Sequence, residues 1–407
     1  MSERTPALDA GEPAGTAGLD PRTFWTLLVG NALTMIGIGF FLPILPLVVA
    51  SRGGSAALVG AIFAAGVIAR TVAQYPAGWL ADRVGRRPLI VGSLLLYALL
   101  FPLYVLHLPV LALIGLRFVH SLAASGYEPA AMALVADLTH EKHRGRAYSR
   151  LRASDMVGIL IGPALGGAVA GLRLDYVFYA GAIVCLVAAV FLLRLPKTGP
   201  PTPAARAAAA AEPTVGLARL LRLLLPVILL GIPIGWVFGT YDTIWSLYLT
   251  SRGASTFLVG LSFATYALPI VVFAGFAAGL ADRLGSFRAG TLAVITYGLL
   301  AATYPFIASV PALILVGLLE GALTAAGNPA LNAETSRVAP PGAQGRTQGA
   351  FGAALNLAQV LGALAGGALY GLGPKPPFLV STGVCLLGAG ASLVVRRSRR
   401  EPAPSPA

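Results

Sequence analysis

The sequence predicts an all-α membrane protein of twelve transmembrane helices in two pseudo-symmetric six-helix bundles, and three observations predict it. Apolar runs of about 20 residues recur along the whole chain, each long enough to cross roughly 30 Å of hydrocarbon as a helix. The two halves repeat one unit: Ser51-Arg52-Gly53 returns as Ser251-Arg252-Gly253, and Leu80-Ala81-Asp82-Arg83 as Leu280-Ala281-Asp282-Arg283, both displaced by 200 positions. The same register pairs Gly60 with Gly260, Gly85 with Gly285, Pro129 with Pro329, Gly145 with Gly345 and Gly167 with Gly367. Composition agrees, with 57% hydrophobic and 11% charged residues and a mean hydropathy of +0.79, where a soluble domain carries about 25% charged residues. A β-barrel is excluded because the runs are continuously apolar and do not alternate.

The elements follow in order. Residues 1–22 hold Glu3, Arg4, Asp9, Glu12, Asp20 and Arg22 without an apolar core, and read as a polar cytoplasmic tail, not a signal peptide. The first bundle, 23–195, carries spans at about 23–50, 56–80, 88–106, 109–136, 147–171 and 175–195. Residues 196–221 interrupt the pattern with Pro196, Pro200, Pro201, Pro203, a poly-Ala run and Pro213, which reads as a cytoplasmic linker. The second bundle, 222–395, carries spans at about 222–250, 256–280, 289–309, 311–336, 346–371 and 376–395. A basic tail, 396–407, opens with Arg396-Arg397-Ser398-Arg399-Arg400 and anchors the last span on the cytoplasmic side, where it can touch anionic lipid.

The net charge of +13 is a topology signal and does not imply a nucleic-acid partner. With the N-terminus inside, about 23 of the 29 basic residues fall in cytoplasmic segments, and only Arg52, Arg173, Arg252 and Lys375 fall in the opposite loops. Arg70 and Arg117 lie inside spans. Cys185 and Cys385 are a repeat pair in apolar runs and read as packing residues. The four His are scattered, so no metal site is expected.

Gly78-Trp79-Leu80-Ala81-Asp82-Arg83-Val84-Gly85-Arg86-Arg87-Pro88-Leu89-Ile90 occupies the tight loop after the second span. Its glycines permit the turn, and Asp82 suits a helix N-terminus. This stretch resembles the loop signature of the major facilitator superfamily along its full length. The second copy keeps Gly279, Asp282, Arg283 and Gly285 but has Ser286-Phe287 in place of two arginines. Two further stretches resemble the family's twelve-helix drug/proton antiporters. One is Ile36-Gly37 followed by Pro43-Ile44-Leu45-Pro46. The other is Gly158-Ile159-Leu160-Ile161-Gly162-Pro163-Ala164-Leu165-Gly166-Gly167, with Ser149 at the pattern's outermost glycine position. Physically, Gly158, Gly162 and Gly166 make one close-packing stripe, and Pro163 bends the helix. Arg117 matches the antiporters' intramembrane arginine, with His120 and Ser121 where Gln and Gly are usual. The resemblance makes Asp137 a gate partner of Arg83 or Arg86, with Arg87 alongside.

The repeat also filters residues. Positions kept in both halves read as scaffold, whereas unmatched buried charges need another explanation, because ionisable groups are costly in a bilayer. Arg70 faces Ile270 across the repeat, Arg117 faces Gly317, Glu128 faces Asn328, Asp155 faces Leu355, Asp242 faces Leu42 and Glu320 faces His120. Asp242, Glu320, Arg117, Glu128 and Asp155 are therefore the proton-coupling candidates. Arg70, Gln74, His120, Tyr127, Trp236, Tyr241, Trp245 and Tyr266 are the substrate-cavity candidates. Arg117, His120, Ala124 and Glu128 are expected on one face of a continuous fourth helix.

A duplicated membrane unit is the sign of a transporter with its site between the halves. The resemblance implies proton-coupled efflux of small amphipathic compounds by alternating access, with no cofactor beyond the proton gradient. The chain is expected to act as a monomer in a bacterial cytoplasmic membrane, with substrate, protons and lipid as its partners. A carrier of a lipid, sugar or metabolite, or a non-transporting sensor, are the alternatives. An enzyme is not expected, since no nucleophile–base set or phosphate-binding loop is present in suitable context.

Overall fold

The computed structural model describes residues 21–139, 141–196, 216–340 and 343–398. The tails 1–22 and 396–407 and the linker 196–221 lie largely outside the described residues. All regular elements among these residues are helical. The first half runs α1 (Pro21–Phe41, continued by Leu45–Ser51), α2 (Ala56–Val84), α3 (Arg86–Leu100, with a 3-10 turn Phe101–Val105), α4 (Val110–Ala124 and Tyr127–Leu138), α5 (Glu141–Leu172) and α6 (Tyr176–Leu192). The second runs α7 (Leu217–Ser251), α8 (Thr256–Val272 and Ala274–Leu284), α9 (Ser286–Thr303, with Tyr304–Phe306), α10 (Val310–Thr324 and Gly327–Val338), α11 (Gln344–Leu372) and α12 (Pro376–Ser398). Ten of these are long and apolar enough to cross a membrane, and α6 and the first part of α8 are shorter apolar helices.

The repeat is visible in local geometry. Ser55 and Ser255 cap α2 and α8, accepting from the backbone N–H of Leu58 at 3.2 Å and Leu258 at 3.3 Å, a contact worth about 1 kcal/mol at a helix start. Gly53 and Gly253 take φ of +79° and +86°, a left-handed conformation that a side chain would strain. Arg52 reaches the Leu106 carbonyl and Asp175, and Arg252 reaches the Pro305 carbonyl, so the loops after α1, α3 and α5, and those after α7 and α9, gather at one end. At the other end, where both described chain ends lie, Arg86 joins Asp137 and Arg396 joins Glu334. The two are called the far end and the termini end below.

Two differences from the expected elements have local causes. The fourth and tenth helices are broken at 125–126 and 325–326. Pro129 and Pro329 lack the N–H that would bond the carbonyl four residues back, and their rings press on it. Glu128 therefore lies on a separate helical segment from Arg117 and His120, not on one continuous fourth helix as expected. The basic stretch Lys142-His143-Arg144-Gly145-Arg146, which falls between the spans expected at about 109–136 and 147–171, forms the first turns of α5. Close packing inside each half uses glycine. A Cβ on Gly158, Gly162 or Gly166 of α5 would strike Met35, the Ile36 carbonyl or the Phe40 carbonyl of α1. Gly235, Gly239 and Gly362 do the same between α7 and α11, as expected where backbones approach in lipid.

Candidate functional site

A cavity opens among α7, α8, α9 and α10. Tyr241, Asp242 and Trp245 reach it from α7, Tyr266 from α8, Tyr304 from the turn ending α9, and Glu320 from α10. The walls are mainly aromatic. The Tyr241 and Trp245 rings are stacked at 5.9 Å, and the Trp245 and Tyr304 rings meet edge-on at 4.9 Å. Most polar tips are engaged: Trp245 Nε1 donates to Ser262 Oγ at 3.0 Å, and the Tyr266 and Tyr297 hydroxyls lie 2.7 Å apart.

Glu320 is the exception. It is 2% exposed, and its Oε2 accepts from the Tyr304 hydroxyl, while Oε1 has no hydrogen-bond partner among the described residues. The Tyr241 hydroxyl is buried and unpartnered in the same way. A buried acceptor left unmade is expensive, so Glu320 Oε1 is open to a hydrogen-bond donor. None of the described residues that line the cavity is a cation. Asp242, at its edge and half-buried, accepts from Gln359 Nε2 at 3.3 Å. It sits in the attractive field of Arg70 and Arg117, both from the first half.

Of the substrate-cavity candidates, Tyr241, Trp245 and Tyr266 line this cavity. Arg70 and Gln74 are exposed midway along α2, and Arg70 interacts electrostatically with Asp242, Glu128 and Arg117, so it faces the space between the halves. The other three lie elsewhere, because their polar atoms are already held. His120 is enclosed by rings, stacked on Tyr97 at 3.8 Å, with Nε2 3.1 Å from the Tyr97 carbonyl and Nδ1 3.2 Å from the Tyr104 hydroxyl. Tyr127 donates to Asn31 Oδ1 at 2.9 Å, and Trp236 donates to Ser381 of α12 at 3.2 Å.

The remaining charges form a second cluster. Arg152 bridges Glu128 at 2.9 Å and Asp155 at 3.3 Å, and Asp155 also accepts from Asn31 at 2.6 Å. This joins α1, α4 and α5 in the first half. Arg117 is buried between α2 and α4, 5.0 Å from the Phe41 ring, and Gly66 leaves the room it needs.

Residues 27–310 and 227–407 match the model of the Major Facilitator Superfamily, which spans essentially the whole chain. The chain belongs to that superfamily. Among its relatives, Multidrug resistance protein 2 of Bacillus subtilis is 26% identical over 94% of this chain and 98% of its own length. Tetracycline resistance protein, class G, of Vibrio anguillarum is 28% identical over 84% of this chain and 88% of its own. Two solved structures share the fold: a bacterial homolog to the human lysosomal transporter Spinster (TM-score 0.76, 14% identity, 96% of this chain and 100% of that one), and the nucleoside transporter NupG (TM-score 0.72, 16% identity, 92% and 98%).

The superfamily's loop signature ties three helices at the termini end. Gly85 turns the chain at φ +89°, Arg86 donates to Asp137 of α4 at 3.1 Å, and Arg87 donates to the Leu193 carbonyl beyond α6. Arg83 lies 3.9 Å over the Trp79 ring, and a Cβ added at Gly78 would meet no atom of the described residues within 4 Å. Arg283 is exposed, and the side chains of Asp82 and Asp282 lie outside the described residues. In the antiporter-like helix, Gly158, Gly162, Gly166 and the ring of Pro163 face α1, whereas the Pro163 carbonyl and Gly167 face α8 of the other half.

Sequence reasoning missed Tyr304, Tyr297 and Gln359. The signal for Tyr304 was present, since Tyr104 and Tyr304 are a repeat pair. A position kept in both halves reads as scaffold, although here one copy holds the cavity acid.

Proposed function

We propose that the chain is a proton-coupled exporter of small amphipathic compounds that works by alternating access. Glu320 carries this reading: an acid with one oxygen unpartnered, inside an aromatic cavity at membrane depth, suits reversible proton binding and attraction of a positively charged group. The aromatic walls add contact that is not directional and suits varied ligands. The names of the relatives, multidrug and tetracycline resistance proteins, support the direction and the substrate class. Residues 23–195 and 222–395 act as the two rocking bodies, joined by 196–221, in a bacterial cytoplasmic membrane with both termini inside. A single copy does this with the proton gradient as its energy source, and no bond of the substrate is made or broken.

The test is reconstitution in liposomes with an imposed pH gradient, screening lipophilic compounds for substrate-dependent proton movement. The parent protein should release protons on substrate addition, and Glu320→Gln should not. Equal proton release by Glu320→Gln removes Glu320 from the mechanism, and substrate flux that ignores the gradient replaces the exporter with a facilitative carrier.

A further inference from the structure

Among the described residues, the charges that meet across the two halves are sorted by sign. The first half brings Arg70 and Arg117, whose fields both reach Asp242. The second brings Asp242 and Glu320, which line one cavity. Arg117 is covered where it stands between α2 and α4. Arg70 is not: it is exposed to the space between the halves at the midpoint of the 29-residue α2, roughly 20 Å from either end of that helix. The described acids nearest to it are held by other groups, since Asp242 accepts from Gln359 at 3.3 Å and Glu128 is bridged by Arg152 at 2.9 Å.

Hydrogen bonds between the halves fix Arg70 beside the cavity. Its neighbour Thr71 accepts from Asn356 of α11 at 3.1 Å, and Gln359, on the next turn of α11, is the donor to Asp242 of α7. α2 also packs directly on α7. The guanidinium therefore stands on the side of the cavity that Asp242 borders, while the open Oε1 of Glu320 lies within it.

This division of charge discriminates among ligands. A monocation that reaches Glu320 satisfies the acid and leaves Arg70 without a counter-ion in a place where an unpaired charge is costly. A plain anion meets Arg70 but is repelled by Asp242 and Glu320. A molecule with one charge of each sign satisfies both walls, and a guanidinium presents the planar fork that a carboxylate fits. We propose that the compound carried is an aromatic zwitterion, whose ammonium meets Glu320 in the cavity and whose carboxylate meets Arg70 of the opposite half. This rests on the reading of the Glu320 cavity as the substrate site, and needs neither proton coupling nor a direction of transport.

Matched ligands test it on the full chain. Para-aminomethylbenzoic acid and its two-ring homologue, aminomethylbiphenylcarboxylic acid, hold an ammonium and a carboxylate at opposite ends of a rigid aromatic frame, at two separations. Their methyl esters keep the ammonium alone. Calorimetric titration in a non-ionic detergent compares each acid with its ester. At one separation or both, the acid should bind more tightly on the order of 10–100-fold, the worth of a hydrogen bond between charged groups. Arg70→Gln should weaken the acid and tighten the ester, whose ammonium no longer faces a guanidinium, and Arg70→Lys should keep the order seen in the parent. Loss of folding does not produce changes of opposite sign. The proposal is overturned if neither acid binds more tightly than its ester, or if Arg70→Gln shifts acid and ester alike. Glu320→Gln should weaken both; if it weakens neither, the reading of the cavity fails and the zwitterion with it, whereas failure of the Arg70 variants alone leaves that reading standing.

Discussion

The Tyr304 hydroxyl donates to Glu320, and Tyr104 meets His120 in the equivalent place, each pair 16 residues apart. One arrangement, a tyrosine at the end of the third helix of a half and a polar residue on the fourth, thus has two outcomes. In the first half, Tyr97, Phe101 and Phe41 close over the histidine. Position 301, the counterpart of Phe101, is Ala301, so the second half lacks that ring, and Glu320 lines a cavity where His120 is enclosed.

Tyr304→Phe should keep the ring contacts and remove only the hydroxyl donor to Glu320. A hydrogen bond to a charged group is worth about 1.5–3 kcal/mol, so transport of a cationic substrate should change on the order of 10–100-fold, with expression unaltered. Tyr104→Phe should have little effect. Equal transport by Tyr304→Phe and the parent, measured as efflux rate in vesicles, would show that the tyrosine does not hold the acid for function.

Gly66 and Arg117 should behave as one unit. A Cβ at 66 would lie 2.8 Å from Arg117 Nε and 3.0 Å from Ser121 Oγ, so Gly66→Val must displace the guanidinium. Efflux should fall by about the same factor in Gly66→Val and Arg117→Ala, and the double variant should be no worse than either, as for residues that share one interaction. Additive losses would separate them.

Glu334 is 3% exposed and is paired with Arg337 at 2.5 Å and Arg396 at 3.5 Å, while Arg396 also lies 3.8 Å over the Phe287 ring. Its repeat counterpart is the fully buried Leu134. Breaking a buried pair from one side is worse than replacing the group with an apolar residue. Removing both partners, Arg337→Ala/Arg396→Ala, leaves the carboxylate buried alone, so adding Glu334→Leu to that pair should raise the melting temperature in detergent. A lower melting temperature for the triple variant would contradict this account.

Asn31 should tolerate loss better than charge. Its side chain donates to Asp155 at 2.6 Å and to Ser154 at 2.8 Å, and accepts from Tyr127. Asn31→Ala removes about 1–3 kcal/mol of satisfied hydrogen bonding. Asn31→Asp sets two carboxylates against each other and should lower the melting temperature further, which thermal unfolding in detergent can check.

The twelve spans were legible because apolar runs of membrane length leave little choice of element, and the repeat made the two-unit architecture legible as well. The breaks in α4 and α10 were not, although Pro129 and Pro329 were both in view, because a hydrophobic run does not register a missing N–H. In the site, Asp242 and Glu320 stood out as unmatched charges. Which aromatic residues joined them did not, since Trp236 and Tyr241 differ only in the direction they leave α7, and that depends on what α12 and α9 present.

The breaks at 125–126 and 325–326 have a mechanical meaning. Each falls five residues past His120 or Glu320 and before Asp137 or Glu334, dividing one span into a length that lines the interior and a length that carries the ion pairs at its exit. Because the backbone ladder is interrupted between them, the two lengths are not one rigid rod: the turns that hold the ion pairs are hydrogen-bonded separately from those that hold His120 and Glu320.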